Sequence, residues 1–214
     1  MAQRPSQAAA TEGGAGAARA SILAAARAEF AAKGLTGARV NQIAARAGVN
    51  KQLLYYYFGS KDQLYRTALE HVYAEIRALE RGLELDQSPP EQAMTTLVGF
   101  SFDYLSQHPD FIGLLNHENA LGAEHVRASA SIRAMNSPLI EMIAATLRRG
   151  VRAKVFRKGI DPIELYISIA GMSYFFFSNR LTLASIFGRD LAQPPAVKSY
   201  RRHVVATALA GLRP

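Results

Sequence analysis

An all-α fold with about nine helices is predicted, divided into a small N-terminal three-helix domain and a larger C-terminal helical domain. Apolar residues recur at the helical period along most of the chain, and no segment sustains the alternation of a strand. Pro and Gly fall at the spacings that start and stop helices. No fixed-period repeat appears.

The elements follow in order. Residues 1–18 are rich in Ala, Gly, Gln and Ser, lack a large hydrophobe after Met1, and read as a disordered arm. Ile22, Ala26 and Phe30 stand at i, i+4 and i+8 on one face of a first helix, which Gly34 ends. Val40 to Ala47 is a short second helix and Asn50 to Phe58 a third, with Gly48 between them. Ser60-Lys61-Asp62-Gln63 matches a capping box, so a long helix starts at Lys61 and runs into the low eighties. Leu64, Ala68, His71 and Val72 continue one side of it. Pro89-Pro90, His108-Pro109-Asp110 and Ser137-Pro138 each mark a break. Gly159-Ile160-Asp161-Pro162 gives a turn and a new helix, and Pro194-Pro195 opens a last one, closed by Gly211 and Pro214. The domains predicted are an arm over 1–18, a first domain over 19–65 and a second over 66–214.

The 214 residues carry 25 Lys and Arg against 17 Asp and Glu, a formal charge of +8. Residues 1–64 hold eight basic and three acidic groups, so most of the excess sits at the N-terminal end. An acidic partner, nucleic acid or anionic membrane, is implied. The absence of cysteine excludes disulfides, thiolate metal sites and a cysteine nucleophile. The best apolar run, Ile167 to Phe177, falls far short of the ~20 residues that span a bilayer. Ile22 to Ala26 is too short for a signal-peptide core, so a cytoplasmic protein with no membrane partner is expected.

Residues 40–59 narrow the choice of partner. A helix-turn-helix needs a small residue where its helices cross, a Gly in the tight turn, and apolar residues pinning the second helix to the first. Ala44 and Gly48 meet the first two needs, and Ile43, Ala47, Val49, Leu54 and Tyr57 the third. Asn50 stands where a cap belongs. An ordinary helical hairpin shares the Gly turn and the apolar seam. The local positive charge and the exposed run Asn50-Lys51-Gln52 favour DNA.

Residues 19–64 resemble the DNA-binding domain of TetR-family transcriptional regulators. The matching stretches are Ile22-Leu23-Ala24-Ala25-Ala26, Phe30, Gly34, Ile43-Ala44-Ala45-Arg46-Ala47-Gly48-Val49 and Leu54-Tyr55-Tyr56-Tyr57-Phe58-Gly59-Ser60-Lys61-Asp62-Gln63-Leu64. The last resembles the family's "LYxYFxSKExL" signature, with Asp for Glu. The resemblance implies a homodimer whose two recognition helices enter successive major grooves of a palindromic operator in double-stranded DNA. A small-molecule effector bound by the C-terminal ligand-binding and dimerisation domain would release it, most simply as a repressor. By resemblance Tyr55 and Lys61 contact phosphates. Asn50, Lys51, Gln52 and Tyr56 are placed to read base edges, Lys51 suiting guanine and Gln52 adenine. Arg39 stands where the family often has Thr or Ser and reaches phosphate by charge instead. Leu53 replaces a common Thr and can touch a thymine methyl. Tyr57 and Phe58 read as core, and Arg4 and Arg19 as arm residues within reach of a minor groove.

No enzyme is expected. Gly171-Met172-Ser173-Tyr174-Phe175 begins like a nucleophile elbow but lacks the second Gly and lies inside a predicted helix. No phosphate loop follows a strand, and His117 and His125 are separated by a break near Gly122, so no cofactor or metal is expected. In the second domain Phe100, Tyr104, Phe111, His117, Asn119, Tyr174 and Arg180 are the candidate ligand residues, polar groups amid aromatic ones, suiting an anionic or aromatic effector. The stretch His108 to Asn119 resembles a segment in a subset of TetR-type ligand domains. Ile167, Ile169, Met172, Val204, Val205, Ala208 and Leu209 form the expected dimer seam. Two other readings stand beside the regulator: a nucleoid-associated protein of this fold, and a helical carrier or enzyme with an incidental basic face.

Overall fold

The computed structural model describes residues 7–214, with side chains from Gly14 onward. Ten α-helices and one 3-10 turn make up its regular structure, and no strand occurs among the described residues. Two compact units result. One comprises the chain up to Val72 together with Gly113–Ser129, the other Tyr73–Ile112 together with Ala130–Pro214.

In the first unit, α1 runs Gln7–Gly37 and bends at Gly34, whose φ is +68°. The expected arm is corrected from Gln7 onward, since residues 7–18 are helical; six of them are Ala, the strongest helix former. Ile22, Ala26 and Phe30 are fully buried, as their spacing predicts. Helices α2 (Val40–Ala47) and α3 (Lys51–Phe58) follow, then α4 (Lys61–Arg81), whose first three turns belong to this unit. Ser60 Oγ accepts the Gln63 N–H at 3.1 Å, the cap that the sequence predicts. Helix α6 (Pro109–Ala120) enters the unit at Gly113, where a Cβ would stand 2.5 Å from the Ala31 carbonyl oxygen, so only Gly lets α6 approach α1. The short α7 (Glu124–Ala128) lies beyond the Gly122 turn and is the tenth helix, absent from the sequence count.

The second unit holds the rest of α4, α5 (Pro90–Gln107), α8 (Ala130–Arg152), α9 (Pro162–Phe187) and α10 (Pro194–Ala210). Its core is built from Leu97, Val98 and Phe102 of α5, Ile143 of α8, Phe176 and Phe177 of α9, and Val204 of α10. The Phe102 and Phe177 rings lie 4.8 Å apart, and Phe176 stacks on Tyr200 at 4.3 Å. Arg149 Nη2 donates to the Leu85 and Ser88 carbonyls at 2.8 and 2.9 Å, stapling the 3-10 turn Leu85–Gln87. The break expected at Ser137-Pro138 does not occur, because Pro138 lies inside α8. Ala134 and Pro138 are both exposed, so the intrahelical bond that Pro138 cannot make is lost at the surface of the helix.

Among the described residues no helix is long and apolar enough to cross a membrane. Ser173 is wholly buried and its hydroxyl donates to the Ile169 carbonyl at 3.2 Å, the ordinary helix back-bond rather than an exposed nucleophile.

Candidate functional site

The geometry of the second and third helices is decided by three local devices. Gly48, at φ +70°, ends α2 in the left-handed conformation, and its N–H and that of Val49 return to the last turn of α2. Arg39 precedes α2 without a side-chain cap. Its backbone N–H donates instead to Glu29 Oε1 at 3.4 Å, an oxygen that also accepts from Lys33 Nζ at 2.7 Å. Those bonds, Lys33 foremost, hold the buried Glu29 carboxyl below its ordinary pKa against the opposing effect of burial. Asn50 Oδ1 accepts the Leu53 N–H at 2.8 Å and so starts α3.

Helix α3 then sorts its residues by face. Leu54 and Phe58 are buried, and Tyr57 and Leu53 are half-buried. Lys51, Gln52, Tyr55 and Tyr56 point outward, Tyr56 with 80% of its surface exposed. Lys51 Nζ lies 5.6 Å from the Tyr55 ring, so a cation and a phenol occupy one patch. Arg39 and Asn50 are exposed as well, although the Asn50 side-chain oxygen is committed to the cap. Lys61, at the first position of α4, is half-buried and donates to the Thr36 carbonyl at 3.3 Å, tying α4 to the end of α1. Arg19 belongs to α1 rather than to an arm, and its guanidinium lies 5.3 Å from the centre of the Phe58 ring. Arg4 lies outside the described residues.

The start of α4 is locked from a second side. His125 is buried between two carboxylates, its Nδ1 3.0 Å from Glu118 Oε2 and its Nε2 3.0 Å from Asp62 Oδ1. Glu118 Oε1 also accepts the backbone N–H groups of His125 and Val126, at 2.7 and 3.0 Å. Burial alone would lower the His125 pKa, but the Asp62 bond and the charge and bond of Glu118 together raise it. The Tyr65 ring, 4.8 Å from the imidazole and 5.0 Å from the Phe30 ring, packs the network against α1.

The residues expected to line one ligand site are only partly brought together. Phe100 and Tyr104 lie 5.9 Å apart, and Tyr104 and Phe111 5.6 Å. His117 and Asn119 fall in the first unit, because α6 passes from one unit to the other at Gly113. A Cβ on Gly34 would meet the His117 ring at 2.8 Å, so that imidazole packs on α1. Arg180 and Asn119 are exposed and Tyr174 half-buried. Of the expected dimer seam, Ile169, Val204 and Ala208 are buried within the unit itself. The exposed large apolar residues of α9 are Ile163, Ile167, Phe175, Leu181, Ile186 and Phe187, spread around the helix, and Ile167 among them belongs to the expected seam. Two charged residues of α4, Arg77 and Glu80, are as buried as any core residue. The signal for them was present, since they extend the stripe of Leu69, Val72 and Ile76 that α4 turns inward.

Comparison with known proteins gives the family. The family of bacterial regulatory proteins called tetR matches residues 22–68, and the C-terminal domain of tetracyclin repressor-like proteins matches residues 90–207. The HTH-type transcriptional repressor NicS of Pseudomonas putida is 38% identical over 195 residues, covering 91% of this chain and 92% of the relative. The HTH-type transcriptional repressor SCO4008 of Streptomyces coelicolor is 31% identical over 72% of this chain and 76% of its own. Among solved structures, the transcriptional regulator SCO4942 of Streptomyces coelicolor superposes with a TM-score of 0.67 at 26% identity, over 92% of this chain and 99% of that one. The regulator FadR of Bacillus subtilis, solved with stearoyl-CoA, shares the fold at a TM-score of 0.69 and 15% identity, over 91% and 100% of the two chains. This chain belongs to the TetR family of bacterial helix-turn-helix transcriptional regulators.

Proposed function

We propose that this regulator acts in the cytoplasm as a homodimeric repressor that reads a palindromic operator through the outward face of α3 and leaves it when an effector binds. One observation carries the reading: α3 buries Leu54 and Phe58 while presenting Lys51, Gln52, Tyr55 and Tyr56 to solvent. Lys51 and Gln52 supply the donors and acceptors that guanine and adenine edges need, with Tyr56 beside them. Tyr55, Arg39 and Lys61 hold phosphates, Lys61 aided by the positive end of α4. Exposed Ile163, Ile167 and Leu181, which share one side of α9, supply apolar area for a two-fold interface, which sets the two half-sites about one helical turn apart. An effector lowers operator affinity only by binding the DNA-incompetent state more tightly than the competent one.

The test is operator binding across a salt series after genome-wide mapping of bound sites. Tyr55→Ala and Lys61→Ala should each weaken binding about tenfold at physiological salt and each lower the log–log salt slope by about 1. An unchanged slope in both would remove the phosphate assignment. Many dispersed chromosomal sites, in place of a few promoters, would favour a nucleoid-associated role.

A further inference from the structure

The end of α8 and the loop that follows it hold much of the chain's charge. From Leu147 to Ile160 stand Arg148, Arg149, Arg152, Lys154, Arg157 and Lys158 with no acidic residue, against a formal charge of +8 for the whole chain. Arg149 is spent on the carbonyls of Leu85, Asp86 and Ser88. Arg148, Arg152, Arg157 and Lys158 instead line one open groove of about 640 Å³, which lies wholly in the second unit. Its floor is aliphatic, made by Ala144, Leu147, Val151, Ile160 and Pro162. Among the described residues no acidic side chain and no aromatic ring lines it. The side chains of Arg148, Arg152 and Lys158 have no hydrogen bond or ion pair among those residues.

The groove is shaped before any ligand arrives. Phe156 is buried against Gly150, where any Cβ would overlap its ring. The Val155 and Phe156 N–H groups both return to the Gly150 carbonyl, at 3.0 and 3.2 Å. Arg157 is held twice: its backbone N–H donates to the Leu212 carbonyl at 2.8 Å and its Nε to the Gly211 carbonyl at 3.0 Å. That leaves the Nη1 and Nη2 edge of its guanidinium open. The helix dipole accounts for Arg149 and Arg152 in the last turn of α8, but not for Arg157 and Lys158 beyond it. Arg148 and Arg152 stand one turn apart, a like-charge spacing that an anion between them would relieve.

We propose that this groove binds an amphiphilic anion, a soluble molecule with a phosphate head and an aliphatic chain. Arg157 grips two phosphate oxygens through its open edge, a parallel pair of N–H donors. Arg148, Arg152 and Lys158 supply the surrounding charge. A phosphate head, with close to two negative charges, matches four cations better than a carboxylate with one. The chain covers Leu147, Val151 and Ile160 and removes their surface from water. A nucleotide fits less well, because no ring offers its base a stacking face. A DNA backbone would leave the aliphatic floor unused. The volume falls within the roughly 300–1,000 Å³ of small-ligand sites. This inference goes beyond the operator reading and does not depend on it.

The test titrates octyl phosphate, octyl glucoside and inorganic phosphate into the full-length protein by calorimetry, with each amphiphile below its micelle concentration. Octyl phosphate should bind about tenfold more tightly than either of the others, since it alone has both charge and chain. Arg152→Gln combined with Lys158→Gln should weaken it about tenfold. Arg157→Lys keeps the charge, loses the fork and should weaken it several-fold. Ile160→Ser should weaken octyl phosphate several-fold and leave inorganic phosphate unchanged. Arg189→Gln removes an exposed cation outside the groove and should change nothing. Equal affinities for octyl phosphate and octyl glucoside would overturn the proposal, as would equal affinities for octyl phosphate and inorganic phosphate. No binding of octyl phosphate, or an equal loss in Arg189→Gln, would overturn it too. Sedimentation with phosphatidylglycerol vesicles without binding of octyl phosphate would assign the basic run to a membrane surface. A lower salt slope of operator binding in the Arg152, Lys158 double variant would assign it to DNA. Either of these results also overturns the proposal.

Discussion

Glu118 and His125 in the first unit are buried with every side-chain nitrogen and oxygen bonded, whereas Arg77 and Glu80 in the second are equally buried as an ion pair whose Arg77 Nε has no hydrogen-bond partner. Glu118 alone accepts from two backbone N–H groups and faces one imidazole nitrogen. The difference teaches where rigidity is needed. Under the proposed function the first unit must hold α2, α3 and the start of α4 in one geometry, because a base edge is read only at hydrogen-bond distance. A satisfied charge network resists any rearrangement that would leave a member unpaired. The second unit keeps an ion pair at 2.7 Å that leaves Arg77 Nε with no hydrogen-bond partner.

The largest expected effect tests the satisfied side. Glu118→Ala leaves His125 and two buried N–H groups without an acceptor and should cost about 3 kcal/mol of unfolding free energy in a urea titration. The same titration on an Arg77→Met, Glu80→Leu double variant should show little loss or a gain, since an unsatisfied buried ion pair is replaceable by apolar side chains. If the double variant is the more destabilised of the two, the contrast between the units is gone.

pH sharpens the comparison further. Folding raises the Glu80 pKa from 4.5 to about 7. Its contribution to stability is therefore complete below pH 4.5 and lost as pH rises to about 7, a loss on the order of 3 kcal/mol. Glu80→Gln should flatten that part of the stability profile. Folding also raises the His125 pKa above 6.5, so its contribution is complete below pH 6.5 and falls away as pH climbs through the folded value. His125→Gln should flatten this higher window and leave the lower one in place. A profile that rises with pH in the unaltered protein between 4.5 and 7 would contradict the Glu80 assignment.

The smallest effect concerns the reading helix. Asn50→Ala removes the α3 cap and should cost about 1 kcal/mol, while Asn50→Asp should retain most of the stability and weaken operator binding through charge. Stability and affinity measured on both variants separate the cap from any base contact. Equal loss of affinity in the two, tracking stability alone, would leave Asn50 only its structural part.

Local chemistry made much of this protein legible in advance. The period of Ile22, Ala26 and Phe30, the left-handed glycine at 48, and the caps at Asn50 and Ser60 depend on residues within a few positions of one another, so the sequence determined them unaided. The outward set Lys51, Gln52, Tyr55 and Tyr56 follows from the same periodicity once Leu54 and Phe58 turn inward. Two local rules misled. Pro138 suggested a break where exposure lets the helix continue, and a low-complexity start suggested an arm where Ala content extends α1 to Gln7. Tertiary structure alone decided the rest. His125 meets Asp62 across 63 positions, Arg77 meets Tyr166 across 89, and Gly113 lets one helix pass tightly over another. No sequence window contains both members of such a pair, and whether a buried charge is satisfied depends on atoms that only the packed chain brings within hydrogen-bond reach.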